Sequence, residues 1–245
     1  MQYQTLNYEK TDRVATVRII GPADNPSTLV QLSEELTELC DRITWDEEIR
    51  VVILSGTGEV FSPLERELIP FSSIAEPIAN LDKPVITAID GNIVGRGLEL
   101  ALACDIRIAA ERSRFGLPHV KAGLIPWDGG TQRLTRLVGK GKALEMILTG
   151  EIIDVQEAYR IGLVNKIVPS ERLMTTVLGM AQAMASKAPI ALRYTKEAIS
   201  KGMEMTLEQG LRLEADLYLL LHTTKDRTDG IQAFREKRIP EFEGK

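Results

Sequence analysis

The chain has 245 residues, a charged fraction of 27%, a hydrophobic fraction of 44% and a formal net charge of −5. Such values fit a soluble globular protein with a large core and exclude collagen-like, low-complexity and disordered classes. Acidic and basic residues alternate without a basic face, no apolar run reaches the roughly 18 residues of a membrane span, and the N-terminal MQYQTLNYEK lacks a signal-like apolar stretch. The expectation is therefore a cytoplasmic protein with neither nucleic-acid nor membrane partners. Cys40 and Cys104 sit in apolar patterns and read as buried thiols. His119 and His222 are too few and too isolated for a His-based metal site, so no metal is expected.

In chain order, β-like runs at Tyr3 to Tyr8 and Val14 to Ile20 flank Thr11-Asp12-Arg13 and predict a hairpin. Ser27 precedes a helix with Leu29, Leu32, Leu36, Leu39 and Ile43 on one face. Val51 to Leu54 is a continuous apolar run, the mark of a strand buried on both faces. Further strands are expected at Pro84 to Ile89, Ile106 to Ala109 and Leu163 to Val168, with a small-residue helix at Leu98 to Ala103. Helical periodicity marks Thr131 to Val138, Lys142 to Leu148, Val155 to Ile161 and Leu173 to Ser186. From Pro189 the chain reads as wholly helical: Ile190 to Lys201, Thr206 to His222 and Thr228 to Lys237. The fold class is α/β.

Two stretches carry candidate chemistry. Residues 83–105 read as a buried strand, a turn with Gly91, Gly95 and Gly97, then a helix containing Glu99. Glycines let the backbone approach a ligand, and the first amides of a helix lack helical partners, so they suit an anion or developing oxyanion. From the pattern alone, a plain strand-to-helix turn is the simpler explanation. Residues 114–134 are dense in glycine and proline and place His119 and Asp128 on loops as acid–base candidates. Each of these, taken singly, reads more simply as structural.

Together the two stretches resemble the crotonase superfamily, the enoyl-CoA hydratase and isomerase family. The resemblance extends through Arg50 to Gly56, Val60-Phe61-Ser62, Leu148-Thr149-Gly150, Ala158 to Asn165 and Asp226 to Gly244. It implies a crotonase-like spiral of ββα units over residues 1–188 and a C-terminal helical oligomerisation region over 189–245, forming homotrimers or dimers of trimers. It implies an acyl-CoA substrate, with coenzyme A as part of the substrate and no further cofactor. The family's two oxyanion amides fall on the N–H groups of Glu65 and Arg96. Glu99 matches the first of the hydratases' two glutamates. Pro63, Leu64, Gly95, Gly97 and Trp127 fall at the substrate, and Phe234 and Lys237 near the nucleotide of CoA.

The sequence departs from the family in three places. His119 stands where the second glutamate belongs, Leu64 and Arg96 replace small residues, and the connection from Phe61 to Lys83 is short. Either His119 or Asp128 substitutes for the missing carboxylate, or the reaction needs Glu99 alone. The short connection implies an acyl pocket that is either wider, suiting a branched or cyclic group, or completed by another subunit. The leading expectation is an enoyl-CoA hydratase, with dienoyl or cyclic acyl groups among its candidate substrates. The alternatives are an enoyl-CoA isomerase using Glu99 as sole shuttle, a thioester or C–C hydrolase, and a catalytically silent acyl-CoA-binding protein.

Overall fold

The computed structural model describes residues 3–20, 26–57 and 72–245. The larger of its two sheets has the order β1 (Leu6–Thr11), β2 (Val14–Ile19), β3 (Val51–Thr57), β4 (Val85–Asp90), β6 (Ile106–Ala110) and β9 (Lys166–Val168). Within this sheet, among the described residues, only the β1–β2 pair is antiparallel. Thr11 pairs with Val14, and Asp12 and Arg13 between them both take positive φ, 47° and 70°. A two-residue turn of that hand matches the twist of the strands it joins. The first strand begins at Leu6 rather than Tyr3, because the amides of Gln4 and Thr5 donate to Glu35 of helix α1 (Pro26–Trp45), each at 2.9 Å.

β3 is buried on both faces, as its apolar run requires. Val52 and Leu54 join the core under α1, while Val51 and Ile53 join the core under α7 (Leu173–Ala185). A smaller sheet, β5 (Asn92–Val94), β7 (Arg114–Gly116) and β8 (Ile152–Asp154), was not foreseen. Its strands are too short to show a period. It packs with α4 (Gly130–Val138), α5 (Lys140–Thr149) and α6 (Val155–Arg160) around Phe115, Leu134 and Met146.

Helix α3 (Arg96–Ala103) lies between the two systems. Leu100 and Ala103 belong to the α1 core and Leu98, Ala101 and Leu102 to the α4–α6 core, so every residue of the helix is buried. A helix without a solvated face is a core element, and this one carries Glu99 into the interior. The expected strand from Leu163 forms only at Lys166–Val168. Leu163 and Val164 are core residues instead, and Asn165 bonds both backbone groups of Arg107 at 2.9 Å.

The C-terminal section holds α8 (Pro189–Gly202), α9 (Leu207–Leu221) and α10 (Lys225–Glu236). A reciprocal Thr206–Gln209 capping box opens α9. Helix α10 starts three residues before the expected Thr228, because the Thr224 hydroxyl caps it by accepting from Arg227 N–H. Ion pairs Lys196–Asp105 (2.8 Å) and Arg193–Asp82 (3.1 Å) tie α8 to the sheet. The buried Arg50 guanidinium donates to carbonyls of Ala185, Lys187 and Phe242, clamping the tail to the core. No helix among the described residues is long and apolar enough to cross a membrane.

Candidate active site

β5 ends at Val94 and α3 begins at Arg96, so Gly95 alone must turn the chain. It does so at φ 61°, ψ −130°, a conformation that disfavours any residue with a Cβ. Its N–H donates to Gly116 O at 3.0 Å, which ties the turn to β7. Gly97 is buried in the first helical turn. Three residues past Arg96, Glu99 points into the protein and is 0% exposed.

The two oxygens of Glu99 differ. Oε1 accepts the backbone N–H groups of Asp128 and Gly130, each at 2.9 Å. Oε2 is buried without a hydrogen-bond partner among the described residues, 3.8 Å from Nε2 of His119. Burial pushes the Glu99 carboxyl up to about 7. The Gly130 amide opposes that rise and the Asp128 carboxylate adds to it. His119 sits on a 3₁₀ turn, Pro118–Ala122, and is also buried. Burial lowers its pKa from the ordinary 6.5, with a hydrogen bond to the Leu117 backbone opposing and Arg96 acting in the same direction as burial, which favours the neutral ring.

Asp128 is beside Glu99 but aims elsewhere. Its carboxylate accepts from Ser73 Oγ, from Ile74 N–H at 2.9 Å and from Ala75 N–H at 3.1 Å. Those amides open helix α2 (Ala75–Ala79), so the side chain acts as that helix's cap. The backbone of the Trp127–Gly130 turn, rather than the Asp128 carboxylate, meets Glu99. Gly130 is required there: a Cβ on it would stand 2.8 Å from Glu99 Oε1 and 2.8 Å from Pro126 Cβ.

Arg96 was singled out in the sequence only for its N–H. Its side chain is 2% exposed, its guanidinium carbon lies 4.7 Å from the Trp127 ring centroid, and Nη2 donates to Ser72 O at 2.7 Å. The structure thus brings together Gly95, Arg96, Gly97, Glu99, His119, Trp127 and Asp128. Pro63, Leu64 and Glu65 lie outside the described residues. Phe234 and Lys237 neither hydrogen-bond nor ion-pair with this cluster. Phe234 is 87% exposed on α10, and Lys237 ends that helix at φ 57°. Gly130 and Ser73 were missed as site residues. The Gly129-Gly130 doublet announced a turn, but nothing in it pointed back to a glutamate some thirty residues upstream.

Comparison with known proteins supplies the frame for this geometry. The family model "Enoyl-CoA hydratase/isomerase" matches residues 70–245. A probable enoyl-CoA hydratase of Rhizobium meliloti is 37% identical, covering 99% of each chain. A crotonyl-CoA hydratase of Syntrophomonas wolfei is 35% identical, again over 99% of each chain. Among solved structures, an enoyl-CoA hydratase from Bacillus anthracis superposes with a TM-score of 0.87 at 37% identity, covering 99% of this chain and 100% of that one. The α/β architecture, with two sheets and C-terminal helices, is the crotonase fold, and the chain belongs to the enoyl-CoA hydratase/isomerase family.

Proposed function

We propose that the protein hydrates an α,β-unsaturated acyl-CoA, with Glu99 as proton carrier and His119 in place of the family's second glutamate. The observation that carries this reading is Glu99 Oε2, a buried acceptor without a partner among the described residues, 3.8 Å from His119 Nε2. That gap is too long for a direct hydrogen bond. An oxygen atom set to one side of it reaches both groups, and the substrate water takes this place.

In the forward direction the water oxygen bonds to C3 of the enoyl group. The displaced π electrons move onto the thioester oxygen, and a water proton passes to ionised Glu99. Glu99 then returns that proton to C2 as the enolate collapses, so that one water is added and the carboxylate is regenerated. The N–H groups of Arg96 and Glu65 are assigned to the enolate oxygen, and a donor in such a position is worth about 3–4 kcal/mol in the transition state. Neutral His119 orients the water. The Asp128 carboxylate, with three donors already on it, is assigned a structural task. The protein needs no cofactor beyond the CoA of its substrate in this scheme.

The exposed apolar side chains of the C-terminal helices, among them Leu207, Leu211, Leu219 and Phe234, support assembly as a homotrimer or a dimer of trimers. Phe234 and Lys237 are assigned to the nucleotide end of CoA, the ring against adenine and the ammonium near phosphate.

The test is incubation with a panel of linear, branched, dienoyl and cyclic enoyl-CoAs, with products read by mass. The proposal requires a gain of one water across the double bond, with CoA retained and any ring intact. An unchanged mass with a shifted absorption spectrum means an isomerase, and free CoA means a thioesterase. A ring opened with water added means a C–C hydrolase. Each of these three outcomes overturns the reading.

A further inference from the structure

We propose that Arg96 is a positioning residue that clamps the Trp127–Gly130 turn onto α3 and thereby sets the two amides that hold Glu99. The proposal deepens the reading of Glu99 as proton carrier and rests on it. Three segments converge on this side chain. Arg96 opens α3, the helix that carries Glu99 one turn later. Its guanidinium lies over the Trp127 ring, 4.7 Å from the centroid, and donates to the carbonyl of Ser72 at 2.7 Å. Trp127 directly precedes Asp128, whose N–H is one of the two donors to Glu99 Oε1, while Gly130 N–H is the other. Ser73, next to Ser72, is bound by the Asp128 carboxylate. The guanidinium and the Asp128 carboxylate therefore hold the same turn to the same segment from two sides. A buried planar cation makes this arrangement where a glycine or other small residue would leave the turn unclamped.

The charge has a second consequence. Among the described residues, the charged or titratable groups around Glu99 are Arg96 on its own helix, His119 on the 3₁₀ turn, Asp128 before α4 and Arg133 on α4, whose Nη1 donates to Asp128 O. Arg96 favours the ionised form of Glu99 and the neutral form of His119. Both are the forms that the proposed hydration needs at its start.

Two variants separate the clamp from the charge. Arg96→Lys keeps a cation but loses the planar group, whereas Arg96→Met loses both. Amide hydrogen exchange at Asp128 and Gly130 reads the clamp, and an infrared titration of the Glu99 carboxyl reads the charge. Both amides should exchange at least about tenfold faster in either variant, the scale of a weakened hydrogen bond to a charged group. The Glu99 midpoint should rise in both variants, because the loosened amides oppose it less, and rise further in Arg96→Met, which also loses the cation. Turnover should fall up to about a hundredfold in both, as a misplaced catalytic group implies, with KM nearly unchanged. Wild-type exchange at both amides in Arg96→Lys overturns the clamp, and a Glu99 midpoint no higher in Arg96→Met than in Arg96→Lys overturns the role of the charge. Neither measurement uses a substrate. If the wild-type protein hydrates no enoyl-CoA, the functional reading fails, while exchange and titration still decide whether Arg96 holds the turn.

Discussion

Glu99 illustrates how one carboxylate can be both held and kept reactive. Two amides fix Oε1, which orients the group, and burial of Oε2, without a partner among the described residues, raises its proton affinity. The same burial bears on stability. The folded pKa of about 7 lies above the usual carboxyl value of 4.5, so Glu99 favours folding fully below pH 4.5, and that contribution is lost as pH rises through 7. Across that window the loss amounts to roughly 3 kcal/mol. Glu99→Gln keeps an acceptor for the two amides and removes the buried charge. It should therefore melt above the wild type at pH 8, with the difference vanishing near pH 4.5, as calorimetry at both pH values would show. Its turnover should drop at least about a hundredfold, the range of general acid–base effects. His119→Ala should cripple hydration while hydrogen–deuterium exchange at C2 of a saturated acyl-CoA, which needs only Glu99, remains measurable. Loss of both activities in a folded variant would instead place His119 in the proton path.

At the scale of elements, the site is a junction: the first turn of α3, the 3₁₀ turn carrying His119, and the turn before α4. Gly130 is where the junction is tightest. Gly130→Ala forces a methyl group to within 2.8 Å of Glu99 Oε1, so either the carboxylate or the turn must move. The expected result is a folded protein whose turnover is reduced by about a hundredfold, seen in steady-state kinetics beside an unchanged circular dichroism spectrum. Asp128→Asn should act differently. It weakens the cap on α2, lowering stability by about 1–2 kcal/mol in denaturant titration, because an amide oxygen still accepts but the charge is gone. Legibility in the sequence follows the same division. The long elements showed their period: Leu29, Leu32, Leu36, Leu39 and Ile43 all lie in the core under α1. The three-residue strands of the small sheet carried no period at all. Glu99 and His119 stand out as candidates in their glycine- and proline-rich turns, and the family resemblance assigns their roles. The contact of Arg96 with Trp127 does not stand out, because the pair joins segments far apart in the chain and leaves no local pattern.

For the molecule as a whole, apolar side chains are buried unevenly. The sheet core is sealed by α1 and α7, yet α9 and α10 present Leu207, Tyr218, Leu219 and Phe234 at 80%, 62%, 63% and 87% exposure. A surface so apolar calls for a partner, and association through it should give a trimer or hexamer in light scattering at neutral pH. A monomer would contradict that assignment. Lys237→Ala should raise KM for the CoA ester more than it lowers turnover, since the contact proposed for it at the nucleotide would be the same in ground and transition states.

The proposed hydration depends most on ionised Glu99 receiving a proton from water. The direct measurement is kcat/KM for enoyl-CoA hydration across the acid and neutral range. It should rise about tenfold per pH unit on the acid side and level off near the Glu99 value of about 7. A profile flat through that value would show that Glu99 is not the base, and the proposed mechanism would fail with it.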